Sequence, residues 1–595
     1  MAKNRYDQDE ELVTKLNKES LKKMEKYLKP HIRTIIITLC LMFCMAVIEL
    51  LPPYAISEVI DNCIPNKDFV KLYLIVAGLT IGMLAVMIFH RIRSRITNEM
   101  ATDIIKDLRS DLFRHMQYLP LSFFDSRPHG KILVRVVNYF NAITNLFANG
   151  IFDLITNLFK MVVIVILMFM LNVKFTLVCL AVLPFFALVL MFIRSHHRKA
   201  WHTLSSKQSN LNAYLQESIS GMKITQAFAR EKVNAKIFDG LCKENKKYWM
   251  RAKYIERSIP AFVSILSIFT VLLIYYLGVG GIEKGTVTIG LLIAFVAYVS
   301  EFWQPVISLT ALYNEIINCS VYIERIFEML EEPLVVEDLP DAKDIGNVEG
   351  YVDFENVTFS YEEGTPNIFE NVSFHVEKGE TIALVGPTGA GKSTIINTLS
   401  RFYDINKGRI LIDGKDIKHV TLNSLHNNLG IMLQDSYLFS GSVMENIRYG
   451  RLDATDEEVI EAAKAVCAHD FIMEFPEGYN TYINEGGTSL SAGQKQLIAF
   501  ARALLNDPAI LILDEATSSI DTETEIALQK GLDRLLEGRT SFIIAHRLST
   551  IKNSSRIMYI CDKNIAECGS HDELIAQKGR YYSLYMAQYK FLEDM

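Results

Sequence analysis

The sequence predicts a multidomain membrane protein: a six-helix all-α transmembrane domain followed by an α/β domain built around a phosphate-binding loop. Three observations predict it. The first half holds six apolar stretches long enough to cross a bilayer, the composition breaks after Pro333, and the second half places a glycine-rich loop between a short apolar strand and a helix. With 595 residues, 50% of them hydrophobic and 22% charged, the chain is too long for one compact core and too apolar for a disordered or fibrous protein. A net charge of −7 leaves no excess of Lys and Arg to neutralise phosphate backbones, so no nucleic-acid partner is expected.

Residues 1–30 are polar and charged and lack the apolar core of a cleavable signal peptide; they are expected as a cytoplasmic N-terminal segment with an interfacial helix. A transmembrane domain follows over 31–319. Its apolar stretches, about 33–58, 71–90, 148–171, 174–194, 260–282 and 288–313, each match the length needed to span roughly 30 Å of hydrocarbon at 1.5 Å per helical residue. The joins alternate. Those near 61–68, 171–174 and 281–286 are short, whereas 91–147 and 195–259 are long, helix-prone and rich in Lys and Arg, including Arg91, Arg109, Arg135, Arg198, Lys246 and Arg251. The basic connectors belong on the cytoplasmic side, and an even number of spans returns both termini there, in a multi-pass protein of the cytoplasmic membrane. Pro52 and Pro53 are expected to kink the outer end of the first span.

Ionisable groups within spans are costly, so Glu49, Lys160 and Glu301 are candidates for the substrate path. Glu301 is expected to share an inward face with Trp303 and Gln304, and Lys160 has the alternative of pairing with a carboxylate to hold helices together. Nine cysteines without CxxC pairs or metal-ligand spacing read as reduced, buried thiols. Residues 320–345, with Pro333 and Pro340, are expected as a linker, and 346–595 as the nucleotide-binding domain, where strand-length apolar runs alternate with helical ones and Asp413-Gly414 marks a turn.

The apolar run Glu380–Val385 leads into Gly386-Pro387-Thr388-Gly389-Ala390-Gly391-Lys392-Ser393 and then a helical run from Thr394, matching G-x-x-x-x-G-K-[ST] in its strand–loop–helix context. Glycines allow backbone N–H groups to turn toward phosphate oxygens, and the helix N-terminus adds partial positive charge. Lys392 is expected to reach the β and γ phosphates of ATP, and Ser393 to ligate Mg²⁺. A second apolar run, Ala509–Leu513, ends in Asp514-Glu515. Carboxylates at the end of a buried parallel strand sit where ligands gather; Asp514 suits a water-mediated hold on Mg²⁺ and Glu515 a general base on the attacking water.

Leu490-Ser491-Ala492-Gly493-Gln494, just ahead of Asp514-Glu515, resembles the signature of the ABC ATPases, usually L-S-G-G-Q. With the six spans, the chain resembles an ABC exporter half-transporter of the type IV, multidrug-exporter-like class, and the likeness covers nearly its whole length. The resemblance implies further roles. Tyr361 would stack on adenine, Gln434 would link Mg²⁺ and the attacking water to the membrane domain, Ser519 and Asp521 would form the D-loop, and His546 would contact the γ-phosphate. Phe123-Phe124-Asp125 and Glu217-Ser218-Ile219-Ser220-Gly221 would form the two cytoplasmic coupling segments. ATP at one phosphate loop would be covered by the signature of a second half-transporter, so one chain would not complete a site.

Ala492 replaces a signature glycine, and Glu485-Gly486-Gly487 lacks the arginine that often follows the glutamate. In heterodimers of this family the half that retains the catalytic glutamate often carries the altered signature, so a heterodimer is favoured over a homodimer. The function expected is ATP-driven export of a small amphipathic or hydrophobic molecule, a lipid or a peptide. The alternative is a nucleotide-gated channel or membrane-tethered ATPase sensor on the same scaffold, which would have less use for a positioned general base. The spans and the missing coiled-coil insertion exclude a soluble DNA-repair ATPase of the same superfamily, and the missing N-K-x-D motif disfavours a GTPase.

Overall fold

The computed structural model describes residues 22–588 apart from 128, 335, 362–363, 433–435, 515–521 and 546–547. The chain divides into two compact units, one formed by Met1–Gln117 with His129–Glu332, the other by Tyr118–Pro128 with Pro333–Met595.

Six helices of the first unit are long and apolar enough to cross a membrane. Their starts follow from local chemistry. Asp68 Oδ1 accepts the Lys71 N–H at 3.0 Å, Asn172 Oδ1 that of Phe175 at 3.1 Å and Thr288 Oγ1 that of Leu291 at 3.3 Å, so three short joins each supply an N-cap. The long connectors, read as helix-prone, are largely continuous with the spans: single helices run over Phe69–Met116, Val173–Ser220 and Glu231–Glu283. The sixth-span helix, Ile289–Leu330, also takes in residues 320–330, which the sequence suggested as linker. The first span breaks at Leu50, and a new helix, Leu51–Glu58, starts with its prolines in the first turn, where a missing N–H costs no intrahelical bond. The buried Tyr298 hydroxyl donates to the Leu50 carbonyl at 2.8 Å, meeting the polar group exposed by that break.

Asp61, in the last helical turn of the first span, Val59–Cys63, clasps the start of the sixth. Its carboxylate accepts from Thr288 Oγ1 at 2.5 Å, Gly290 N–H at 2.8 Å and Leu291 N–H at 3.1 Å, the arrangement a helix N-terminus favours. Gly290 is needed there, since a Cβ would lie 2.6 Å from the Asp61 carboxylate. Behind the clasp, Ile164, Met168, Phe175, Val263, Phe295, Tyr298 and Trp303 pack into the membrane unit's core. Tyr139 stacks on Tyr322 with ring centroids 4.6 Å apart. All nine cysteines are unpaired, and the expectation that they are buried holds only for Cys63, Cys179 and Cys319.

The second unit is built on a six-stranded sheet in the order Asn564–Gly569, Arg556–Cys561, Thr381–Val385, Thr540–Ile544, Ile510–Asp514, Leu429–Met432. All neighbours are parallel except the first pair. A second, antiparallel sheet (Phe369–Val376, Val352–Phe359, Lys407–Ile412 and Lys415–Asp416) shares a core with one face of the first through Phe354, Phe359, Phe542 and Ile544. The strands of the parallel sheet are near-continuous Ile, Leu and Val runs because both their faces are covered. The segment entering this unit is held by side chains: the Leu422 N–H donates to Asp338 at 2.8 Å, and Arg401 Nη2 to the Glu337 carbonyl at 2.9 Å.

Candidate functional site

Four neighbouring parallel strands end on the same edge of the central sheet, and each leads in sequence to a residue singled out for chemistry. Thr381–Val385 runs into the phosphate loop, Thr540–Ile544 precedes His546, Ile510–Asp514 ends on Asp514 before Glu515, and Leu429–Met432 precedes Gln434. Ligands of open parallel sheets gather at the carboxyl ends of strands. Gln434, Glu515, Ser519, Asp521 and His546 themselves lie outside the described residues.

The loop has the backbone its sequence calls for. Gly386, Gly389 and Gly391 have φ of 148°, 82° and 102°, conformations side chains resist. A Cβ on Gly386 would meet the Ile560 carbonyl oxygen at 2.3 Å and one on Gly391 the Ile368 side chain at 2.9 Å, whereas at Gly389 the space is open. Pro387, Thr388 and Gly389 are exposed, with Ala390 closing a turn back to the Pro387 carbonyl at 3.2 Å. The helix Lys392–Leu399 starts directly from the loop. Lys392 Nζ donates to the carbonyls of Gly386 at 2.9 Å and Pro387 at 3.1 Å, which holds the ammonium inside the loop. Burial pulls its pKa below the ordinary lysine value, and the Asp514 carboxylate pulls it back up, so lysine and carboxylate sense one another across the site. These features fit a triphosphate: a ring of inward-capable amides, a poised cation and a helix N-terminus. Ser393 is exposed on the first turn of that helix. The described residues hold no group of three or more His, Cys, Asp or Glu able to bind a metal ion. One hydroxyl and one carboxylate are the sparse protein ligand set of Mg²⁺ shared with phosphates and water.

Tyr361 lies just past the strand Val352–Phe359, partly exposed beside the loop. Its hydroxyl hydrogen-bonds Thr394 Oγ1 at 3.0 Å, and Thr394 is buried in the loop's helix. The ring is thereby held next to the phosphate site, partly exposed.

The signature stretch forms the start of the helix Ala492–Leu505. Ser491 Oγ accepts the Gln494 N–H at 3.2 Å and Gln494 Oε1 accepts the Ser491 N–H at 3.0 Å, a capping box that explains the Ser and Gln at this spacing. Leu490 packs partly buried against the core and Gly493 is buried, while Ser491 and Ala492 are exposed. Lys495 adds a bond to the Gly486 carbonyl at 2.7 Å.

In the membrane unit, Glu49 and Lys160 pair with each other. Glu301 and Gln304 are exposed on one face of the sixth-span helix. Trp303 is not with them: it is buried, edge-on to Phe186 at 5.5 Å and Phe302 at 5.7 Å, because a separation of two residues, at about 100° of turn each, carries it to the opposite side of the helix from Glu301. Sequence reasoning missed Tyr403 and Arg401, which follow the loop's helix and carry no motif, and Asp61, whose partners at the start of the sixth-span helix are more than two hundred residues away.

A P-loop nucleotide site of this kind, joined in one chain to six membrane-crossing helices, defines an ATP-driven membrane transporter. The chain belongs to the ABC transporter family: residues 34–306 match the ABC transporter transmembrane region and residues 369–518 match the ABC transporter family itself. It is 41% identical to an uncharacterized ABC transporter ATP-binding protein of Bacillus subtilis, YknV, over 98% of this chain and 97% of that protein. It is 36% identical to a putative multidrug export ATP-binding/permease protein of Staphylococcus aureus, over 96% of this chain and 100% of the other. Among solved structures, a bacterial Atm1-family ABC exporter with ATP bound shares the fold with a TM-score of 0.79 at 27% identity, over 94% of this chain and 98% of that one. The protein is a multi-pass integral membrane protein and an ATP-hydrolysing exporter, fused as transmembrane and ATPase domains in the type IV half-transporter arrangement.

Proposed function

We propose that the chain works as one half of a two-subunit exporter in the cytoplasmic membrane, with both termini cytoplasmic, moving a small amphipathic or hydrophobic molecule, a lipid or a peptide outward. The observation that carries this reading is that a single chain has one phosphate loop and one signature helix, and the signature's Ser491 and Ala492 are exposed. Exposed N-terminal groups of a well-capped helix suit the γ-phosphate of a nucleotide held by another copy. Ile219, Ile224 and Phe228, on and around the short helix Met222–Ala227, are also exposed, apolar surface that a partner half-transporter would cover.

In this reading Gly386 to Thr394 hold the triphosphate and Tyr361 the base; Ser393, Gln434 and, through water, Asp514 hold Mg²⁺. That ion, when bound, neutralises charge on the β and γ phosphates. Glu515 takes a proton from the attacking water, His546 contacts the γ-phosphate, and Ser519 and Asp521 face the second subunit. Ala492 together with a retained Glu515 favours a heterodimer. Glu301, exposed beside Gln304 and without a hydrogen-bond or ion-pair partner among the described residues, is the candidate contact for a cationic or amphipathic cargo, while the Glu49–Lys160 pair holds helices together.

Glu515→Gln tests the reading. In the purified assembly it is expected to lower ATPase activity by about 100-fold or more, the scale of losing a general base, with ATP still bound. Wild-type turnover in that variant with the partner's site also disabled would remove Glu515 from the role. Copurification of a related second subunit from native membranes is expected, and full activity of this chain alone would replace the heterodimer with a homodimer.

A further inference from the structure

The first span parts from the second where its helix breaks. Up to Glu49 the two run closely side by side, whereas beyond the break the helix Leu51–Glu58 has few neighbours on the second span. Two glycines one turn apart on the second-span helix, Gly78 and Gly82, mark the divergence. A Cβ on Gly82 would stand 3.1 Å from the Ile48 side chain, so the missing side chain there lets the helices touch. A Cβ on Gly78 would meet nothing within 4 Å among the described residues. Glycine inside a helix is unfavourable, and the packing of this chain gives no reason for one at Gly78.

The space left between the helices is an apolar groove of about 250 Å³, with Leu51, Tyr54 and Ala55 on one side and Ile75, Leu79 and Met83 on the other. Leu51, Tyr54 and Met83 are exposed along it. Polar groups close the end nearest the short join to the second span. Lys71 and Glu58 pair there from opposite sides, and Asn62 Nδ2 donates to Glu58 Oε2 at 2.8 Å. Lys71 lies one turn beyond Ile75 on the same helical face, as Glu58 lies one turn beyond Tyr54. From Lys71 to Met83 is about 18 Å at 1.5 Å per residue, close to the hydrocarbon depth of one leaflet. Among the described residues the Lys71 ammonium donates to Glu58 alone and is half exposed, which leaves N–H groups for a further acceptor. The charges at this end, Glu58, Asp61 and Asp68 against Lys67 and Lys71, are slightly negative in sum and suit a headgroup with its own ammonium better than a purely anionic one.

We infer that this groove is a binding site for one phospholipid, with an acyl chain between the two spans, the phosphate on Lys71 and an ethanolamine ammonium facing Glu58. The chain fills the wedge that the helix break opens, and an amphiphile matches the groove along its whole length, from apolar floor to charged mouth. A helix of a second subunit, about 10 Å across, is too wide for it. The site goes beyond the transport reading; only its leaflet, the outer one, follows from the topology proposed above.

The test is native mass spectrometry of the delipidated full-length assembly, titrated in detergent with dioleoylphosphatidylethanolamine and with dioleoylphosphatidylglycerol. The ethanolamine lipid is expected to bind about threefold more tightly, the scale of one exposed ion pair. Gly78→Leu places a side chain in the groove without a clash and suits the helix better than glycine, so the chain still folds. It is expected to weaken binding by about tenfold or more, the worth of two buried methylene groups. Lys71→Gln is expected to weaken both lipids by about tenfold, the worth of one charge-assisted hydrogen bond. Val76→Leu, at an exposed position outside the groove, should change neither. Unchanged binding in Gly78→Leu, or an equal loss in Val76→Leu, would leave only the annular lipid of any membrane protein and overturns the site. Tighter binding of phosphatidylglycerol overturns the headgroup assignment. Dissociation of the assembly in Gly78→Leu with lipid binding intact would give the groove to the second half-transporter and overturns the site as well. A reversed topology would move the site to the other leaflet and alter none of these results.

Discussion

The phosphate loop and the signature helix are both short glycine-bearing motifs at helix N-termini, yet their residues answer to different constraints. Around the loop the chain itself dictates identity: Gly386 has no room for a Cβ because the Ile560 carbonyl oxygen would be 2.3 Å away, and Gly391 is closed off by Ile368. At the signature, the own-chain demands are met by Ser491 and Gln494 through the capping box, and Ala492 stands in the open. A motif position can thus be held by its own fold or by something that arrives from outside. The membrane unit repeats the contrast, with Glu49 matched by Lys160 inside the chain and Glu301 matched by nothing described within it.

Residues dictated from within should show the largest effects. Gly386→Ala must displace a backbone carbonyl of the neighbouring strand and adopt φ of 148°, so we expect a loss of about 2–4 kcal/mol in stability of the ATPase unit. Nucleotide affinity should fall by about 100-fold or more as the loop is pushed out of shape. Chemical denaturation and equilibrium binding of ATP measure the two, and near-normal values for both would break the comparison at its firmest point.

Glu49→Gln should come next, since it leaves the Lys160 ammonium without its partner in an apolar span. Both side chains are about one third exposed, so a cost of about 1–3 kcal/mol is expected, less than a fully buried pair would show. Thermal unfolding in detergent or nanodiscs reads it, and the exchanged pair Glu49→Lys with Lys160→Glu should recover most of the loss. Glu301→Gln sharpens the contrast: it should leave unfolding unchanged and alter only the stimulation of ATPase activity by a panel of amphipathic cations in proteoliposomes.

What was legible in the sequence follows the same division. The phosphate loop, its flanking strand and the six spans were readable because chain sterics and hydrocarbon thickness each impose a local pattern, in glycine spacing or in apolar run length. The run Ala509–Leu513 could be placed as a parallel strand because continuous burial on two faces leaves few polar residues. Asp61 could not be foreseen as the cap of a helix beginning at Ile289, nor Tyr403 as the partner of Asp125, because each contact joins positions far apart that carry no periodic or motif signal. Trp303 was placed on the face of Glu301 by nearness in sequence, when helical geometry sets them apart.

The smallest effect belongs to Ala492→Gly. Ala492 is exposed at the first turn of its helix, so glycine there should cost no more than about 1 kcal/mol in stability. Its consequence should be seen only when a second subunit's nucleotide meets this face, where removing a methyl group permits closer approach of backbone amides to phosphate. We therefore expect turnover of the purified two-subunit assembly to rise by no more than about tenfold, the range of one added hydrogen bond, while the stability of the isolated chain falls by no more than about 1 kcal/mol. Lower turnover together with a clear loss of stability would mean that Ala492 serves its own helix after all, and the signature would join the loop as a motif held from within.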